Sequence, residues 1–163
     1  MASGISAKLK GQIGEHLVTA ELGRLGVIAT PFSGNVPDFD ILAHANGATA
    51  HIQVKAIKSD SWQFDVRRFL NVELVNGKQV FHGVNTELDR KLICVFVSLG
   101  EKLGDDKFYV FRQGWLQDRS EETYQPRKPP KNVASFHWAI WERDFHAHLG
   151  KWDLIKRHFK LHA

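Results

Sequence analysis

Residues 36–56, VPDFDILAHANGATAHIQVKA, have the pattern of two strands joined by a two-residue turn at Asn46-Gly47. Asn-Gly favours a type I′ hairpin turn, and apolar residues alternate with other residues on both sides of it. A turn of this length fixes which residues face each other. Counting outward gives the expected cross-strand pairs: Ala45 with Ala48, Ile41 with Ile52, Asp40 with Gln53, and Asp38 with Lys55.

Alternation along each strand predicts one apolar face and one partly polar face. The apolar face is expected to carry Phe39, Ile41, Ala43, Ala45, Ile52, Val54 and Ala56. The other face gathers two aspartates, a glutamine and a lysine, with opposed Cβ atoms about 4.5–5.5 Å apart. Two interpretations stay open. The polar face is solvated and its ion pair contributes little, or its carboxylate and amide oxygens bind a hard cation such as Mg²⁺.

The rest of the chain predicts an α/β protein with a mixed sheet. A helix is expected over residues 6–25, ending near Gly26, followed by a short strand over 27–32. Strands are expected over 61–66, over 69–83 as a hairpin around Asn76-Gly77, over 91–99 and over 106–113. Residues 121–132 have the composition of a loop, and residues 137–163 are expected to form one or two helices broken near Gly150.

Composition predicts a single domain over residues 1–163 in a reducing, cytoplasmic setting. The chain has 43% hydrophobic and 25% charged residues, and its one cysteine, Cys94, excludes an internal disulfide. The longest apolar run, LICVFV, is too short to span a bilayer, so no membrane partner is expected. The net charge of +4 is compatible with nucleic acid as a partner but does not require it.

The hairpin resembles the motif of the PD-(D/E)XK nuclease superfamily. Pro37-Asp38 corresponds to the PD half, and Gln53-Val54-Lys55 corresponds to the second half. The predicted first helix supplies Glu15, as an upstream helical glutamate does in many members. The resemblance implies a restriction endonuclease-like α-β-β-β-α-β core, a mixed central sheet flanked by helices. That core would cover about residues 6–99, with residues 100–163 as a C-terminal elaboration.

The resemblance also implies an activity, a metal-dependent endonuclease or resolvase-like enzyme that hydrolyses phosphodiester bonds in DNA. Mg²⁺ would be the cofactor, with Mn²⁺ able to substitute. By this likeness Asp40, the Gln53 side-chain oxygen and the Val54 carbonyl oxygen hold the metal, and Lys55 positions the attacking water. Glu15 assists the metal or its water shell, and Asp38 is the alternate to Asp40.

One departure keeps a second function open. Gln53 stands where the superfamily usually has an acidic residue, so the site has one negative charge fewer. The alternative is therefore a weak or inactive nuclease-fold module that binds DNA or a protein, and an RNA substrate is a third reading. Lys58, Arg67 and Arg68 are expected to contact nucleic acid. A homodimer is a further expectation, because superfamily members are often dimers.

Overall fold

The structure is a computed structural model that describes residues 5–32 and 38–161. Among these residues no helix is long and apolar enough to cross a membrane. In the described part of the chain, three α-helices and nine strands follow one another in the order α1 (Ala7–Arg24), β1 (Ile28–Pro31), β2 (Ile41–Ala45), β3 (Ala48–Ile57), β4 (Ser61–Asp65), β5 (Leu70–Val75), β6 (Lys78–Val84), β7 (Ile93–Ser98), β8 (Lys107–Arg112), α2 (Gln113–Thr123), β9 (His137–Trp141) and α3 (Asp153–His158).

The chain divides into two compact units. The first consists of Met1–Asp60, Leu92–Phe111 and Trp141–Ala163, and the second of Ser61–Lys91 and Arg112–Ile140. The first unit contains the five-stranded sheet, in the order β1-β2-β3-β7-β8. Strands β1, β2 and β3 are antiparallel, whereas β3 and β7 are parallel. The predicted α/β class with a mixed central sheet and flanking helices is therefore confirmed.

The hairpin of β2 and β3 has the predicted turn, and the predicted register holds from the Ala45–Ala48 pair to the Ile41–Ile52 pair. The predicted pairs of Asp40 with Gln53 and of Asp38 with Lys55 lie beyond the paired residues. Asn46 and Gly47 have φ angles of 49° and 74°, the left-handed conformation that a type I′ turn requires at both central positions. Ala45 faces Ala48 and Ile41 faces Ile52. The Asn46 amide also donates to the Phe159 carbonyl oxygen at 2.9 Å, which ties the turn to the residue that follows α3.

Helix α1 packs on the apolar face of this sheet. Ser6 caps its first turn by accepting from the Leu9 N–H at 3.2 Å, and Gly26 follows its end with φ 81°, as predicted. One core cluster joins α1, the sheet and the C-terminal segment, and its fully buried members include Val18, Leu22, Ile41, Ala43, Ile52, Val95, Ile155 and Phe159. Burial of this apolar face packs α1 firmly against β3.

The opposite face of the sheet is covered by aromatic rings and one partly buried carboxylate. Phe96, Phe111 and Phe145 are in mutual contact, with ring centroids 4.9–5.5 Å apart. Burial opposes ionisation of Glu142, but hydrogen bonds from Tyr109, Lys107 and Ser98 outweigh it and lower its pKa. These bonds connect β7, β8 and the 3-10 helix Glu142–His148.

The second unit consists of two two-stranded sheets, β4-β9 and β5-β6, and helix α2. Phe64, Phe69 and Trp138 pack with ring centroids 5.4–5.7 Å apart at its centre. The predicted hairpin around Asn76-Gly77 is present, with Val75 opposite Lys78. The chain from β3 to β7 therefore passes through strands, at a place where the order implied by the superfamily has an α-helix.

The C-terminal prediction was partly wrong. Residues 137–141 form strand β9, because Trp138 and Ile140 are buried at a spacing of two. A 3-10 helix over Glu142–His148 follows, and α3 has only six residues. The predicted loop over residues 121–132 begins later, because α2 continues to Thr123. Helix α2 itself was missed, since its buried face includes Gln113, Gln117 and Ser120 instead of a periodic apolar stripe.

Gly14 allows the close approach of α1 and β3. A Cβ atom added at Gly14 would lie 2.6 Å from the Ala56 Cβ and 3.5 Å from a Val54 methyl group. We expect Gly14→Ala to lower the free energy of unfolding by about 1–3 kcal/mol, as overpacking of a tight contact does. Urea denaturation followed by circular dichroism measures this.

Gly11→Ala, on the same helix, is the matched control. Nothing lies within 4 Å of a Cβ atom at Gly11, so this change is expected to stabilise the helix by up to about 1 kcal/mol. If Gly14→Ala were as stable as Gly11→Ala, the close contact between α1 and β3 would be refuted.

Candidate active site at the end of strand β2

The regular alternation of β2 breaks immediately before Ile41. Ile41 is paired with Ile52, so a regular strand would place Asp40 opposite Gln53. Instead, the Asp40 N–H donates to the Ile52 carbonyl oxygen at 2.9 Å. Phe39 was predicted on the apolar face, and this was wrong. It stacks on His51 with ring centroids 4.0 Å apart and an interplanar angle of 6°, and Phe32 packs edge-on against it. The stack holds the residue before Asp40 in place.

The Asp40 carboxylate takes the place that the next backbone group of β2 would occupy. Its Oδ2 accepts a hydrogen bond from the Val54 N–H at 2.7 Å. Because successive residues of a strand direct their backbone groups to opposite sides, the Val54 C=O points to the same side as its N–H. A carboxylate and a carbonyl oxygen are thus directed toward the region where β2 has ended and β3 continues.

Glu15 lies on α1 within electrostatic range of Asp40. Partial burial raises the pKa of Glu15, the charge of Asp40 raises it further, and His16 opposes the change. A half-buried glutamate beside a second negative charge is an arrangement that a divalent cation relieves. The donor set of Asp40, Glu15 and the Val54 carbonyl oxygen therefore fits a hard cation.

Gln53 and Lys55 flank Val54 on β3. Ile52 and Val54 belong to the core shared with α1, so alternation directs Gln53 and Lys55 to the opposite face. Gln53 is 9% exposed and Lys55 is half-buried. Along the parallel strand β7 their partners are Cys94 and Phe96. The structure thus keeps Gln53, Val54 and Lys55 consecutive on one regular strand beside Asp40, and their catalytic and ligand roles stay predictions.

Asp38 does not stand opposite Lys55 in a strand, and that predicted pair was wrong. Asp38 is exposed and has φ 76°, and it precedes the break in β2, so the alternation used to place it does not reach it. Pro37, the other half of the motif, lies outside the described residues. Asp40 is joined to β3 through the Val54 N–H, and the choice between Asp40 and Asp38 as a metal ligand stays a prediction.

The three predicted nucleic-acid contacts have partners within the protein. Lys58 lies 3.2 Å from a Glu101 carboxylate oxygen. In the second unit, hydrogen bonds from Arg67, the nearest at 2.6 Å, lower the pKa of Asp65, and Arg68 donates to the Gln113 side chain at 3.2 Å. Exposed ion pairs such as those of Lys58 and Arg67 contribute little to stability. Their role in binding nucleic acid stays a prediction.

Acidic residues, histidines and Cys94 do not assemble a metal cage by themselves. Over residues 5–32 and 38–161, no group of three or more His, Cys, Asp or Glu side chains is arranged to hold an ion. A cation between Asp40 and Glu15 would therefore need neutral oxygens, and in the prediction the Val54 carbonyl, the Gln53 amide and water would be these oxygens.

The raised pKa of Glu15 has a consequence for stability. A carboxyl with a higher pKa in the folded state stays protonated to a higher pH there than in the unfolded chain. Its ionisation therefore lowers the free energy of unfolding as pH rises above the ordinary pKa of glutamate. We expect Glu15→Gln to raise the melting temperature at neutral pH in EDTA by at most about 2–4 °C, the effect of 1 kcal/mol in a chain of this size. The gain should disappear below the ordinary pKa of glutamate.

Glu21→Gln is the matched control for this change, because Glu21 lies on the same helix and has Arg24 at 3.6 Å. It should not raise the melting temperature. Mg²⁺ or Mn²⁺ should stabilise the wild type more than Glu15→Gln. Equal melting temperatures for the wild type and Glu15→Gln from pH 4 to pH 8 would contradict the coupling between Glu15 and Asp40.

Comparisons with known proteins agree with this architecture. Neither a protein-family model nor a curated protein matches the sequence. Among solved structures, the chain is similar to a bacterial homing endonuclease, I-Ssp6803I, with a TM-score of 0.54, 19% identity and coverage of 93% of this chain and 94% of that one. It is also similar to Hjc, a Holliday junction resolvase from Archaeoglobus fulgidus, with a TM-score of 0.46, 16% identity and coverage of 89% and 94%. Only the first TM-score exceeds 0.5. The predicted fold is confirmed: the chain has a restriction endonuclease-like fold with a mixed central sheet, similar to that of the homing endonuclease.

Proposed function

We propose that this protein is a metal-dependent nuclease that hydrolyses phosphodiester bonds in DNA. One observation carries the proposal: the Asp40 carboxylate accepts a hydrogen bond from the Val54 N–H, and Glu15 lies in electrostatic range of Asp40. Val54 is on strand β3, which also bears Lys55. The fold shared with a homing endonuclease supports the same reading, because that protein is named for endonuclease activity.

The residues of the site would divide the work of hydrolysis between them. Asp40, the Val54 carbonyl oxygen, the Gln53 amide oxygen and Glu15 would hold the cation. A divalent cation, Mg²⁺ or in its place Mn²⁺, would neutralise charge on the phosphate and activate water at neutral pH. Lys55 would orient the water that attacks phosphorus, as the bond to the leaving oxygen breaks. The pKa shift of Glu15 is consistent with a residue that meets a cation during the reaction.

The proposal also covers the substrate, the cellular location and the oligomeric state. DNA is the substrate that we propose, because the chain shares its fold with a homing endonuclease. We propose a cytoplasmic protein acting as one nuclease domain over residues 1–163. We also propose a homodimer, because two cuts in a duplex need two sites.

A second function is favoured by one residue. Gln53 supplies a neutral oxygen where a carboxylate would bind a cation more strongly. A nuclease-fold module that binds DNA without cutting it would tolerate this change and would need no cation at Asp40. Metal binding that depends on Asp40 therefore separates the two functions.

Cleavage assays test the proposal directly. Supercoiled, linear, branched and single-stranded DNA would be incubated with Mg²⁺, Mn²⁺ or EDTA. We expect cleavage by the wild type with either cation and none in EDTA. Lys55→Ala should lower the cleavage rate by at least about 100-fold, the usual contribution of a positioned proton-transfer group, while DNA binding is retained.

Asp40→Asn should have an effect at least as large, because it removes the charge that holds the cation. Asp60→Asn is its matched control, because Asp60 is exposed and this substitution removes the same charge outside the site. Full activity in Lys55→Ala, or equal losses in Asp40→Asn and Asp60→Asn, would exclude the mechanism. DNA binding without cleavage by the wild type under every condition would favour the module.

A further inference from the structure

The loop of residues 125–136, called the basic loop here, has an unusual charge. It contains Arg127, Lys128 and Lys131 and no acidic residue. Lys128 and Lys131 are exposed, and within the part of the chain that the structure describes neither has an ion pair. Unpaired, exposed ammonium groups on one loop are available to a negatively charged ligand.

A buried glutamine of β6 fixes this loop. Gln79 is 3% exposed, and its Oε1 accepts from the Tyr124 hydroxyl at 2.6 Å and from the Arg127 N–H at 3.0 Å. Its amide nitrogen donates to the carbonyl oxygens of Val133 at 2.8 Å and Ser135 at 2.9 Å. The backbone N–H of Gln79 adds a bond to the Arg127 carbonyl oxygen at 2.8 Å. One side chain thus connects the beginning and the end of the basic loop.

Arg127 closes the loop from the other side. Its guanidinium donates to the carbonyl oxygens of His137 at 3.0 Å and Asn132 at 3.4 Å, and these hydrogen bonds stabilise the loop backbone. The Lys131 N–H donates to the Lys128 carbonyl oxygen at 3.0 Å, which makes a turn with one lysine at each end. The two lysines are therefore presented together by a backbone that is tied at several points.

We propose that the basic loop is a preorganised contact for the phosphates of duplex DNA, with Lys128 and Lys131 as the binding residues and Gln79 as a positioning residue. Ordering a loop at the moment of binding lowers affinity, and a loop already fixed by buried hydrogen bonds avoids most of that loss. Phosphate contacts of this kind position a duplex without reading its sequence. The identity of the partner rests on the proposed function, whereas the loop geometry does not.

Salt dependence of DNA binding measures the contacts. A fluorescent duplex would be titrated in Ca²⁺ buffer at several salt concentrations, and the logarithm of the association constant plotted against the logarithm of salt. Lys128→Ala/Lys131→Ala should make the slope shallower by about 1.8, because each phosphate contact contributes about 0.9. Lys8→Ala/Lys151→Ala removes the same charge from two exposed lysines of the first unit and should change the slope by less than half as much.

A double-mutant cycle tests the positioning role of Gln79. Gln79→Ala should weaken DNA binding by about 3-fold to 10-fold while Lys128 and Lys131 are present, because the loop must then be ordered on binding. In the Lys128→Ala/Lys131→Ala background the same change should have no further effect on affinity. A merely structural role of Gln79 would lower affinity equally in both backgrounds.

The outcomes separate this inference from the proposed function. If the wild type cleaves DNA and the two double-lysine variants have equal salt-dependence slopes, the phosphate contact is overturned and the nuclease proposal stands. Duplex that binds without being cleaved, with the expected slope change, would support the loop and count against the nuclease. Wild-type protein that binds no DNA would overturn both. The lysine variants alter only exposed side chains, so they decide the question even if Gln79→Ala fails to fold.

Discussion

The candidate site depends on the hydrogen bond between the Val54 N–H and the Asp40 carboxylate, 2.7 Å long. Strand β2 begins at Ile41, and among the described residues its pairing with β3 ends at Ile52, two residues before Val54. A buried N–H without a partner is costly, and Asp40 satisfies it with a side-chain oxygen. The same bond fixes the carboxylate beside the Val54 carbonyl oxygen. One residue thus meets a structural requirement of the sheet and, in the proposed function, a requirement of metal binding.

The packing of α1 brings the second carboxylate. Gly14 lets the helix approach Ala56 and Val54 more closely than any other residue would, and Glu15 is the next residue along the helix. Its pKa is raised by partial burial and by Asp40, which is a cost to the protein without a cation. Such a cost is typical of functional sites, where the surrounding structure holds groups in arrangements that local preference disfavours.

Sequence reasoning predicted the parts of this fold that short-range chemistry determines. The Asn46-Gly47 turn set the register of β2 and β3, and the alternation then placed Ile41 opposite Ile52. It could not predict the break at Asp40, because extending a regular strand carries no information on where the strand stops. That is why Phe39 and Asp38 were assigned to the wrong positions. Helix α2 was missed for a related reason, since buried glutamines give no apolar period.

Mn²⁺-induced broadening of backbone amide signals, followed by nuclear magnetic resonance, tests the central claim most directly. It reports where a paramagnetic cation binds, with no need for substrate or turnover. At substoichiometric Mn²⁺ the account predicts selective broadening of Asp40, Gln53, Val54, Lys55 and the α1 turn around Glu15, and its loss in Asp40→Ala. Broadening centred elsewhere, or unchanged in Asp40→Ala, would contradict a metal site at the end of β2.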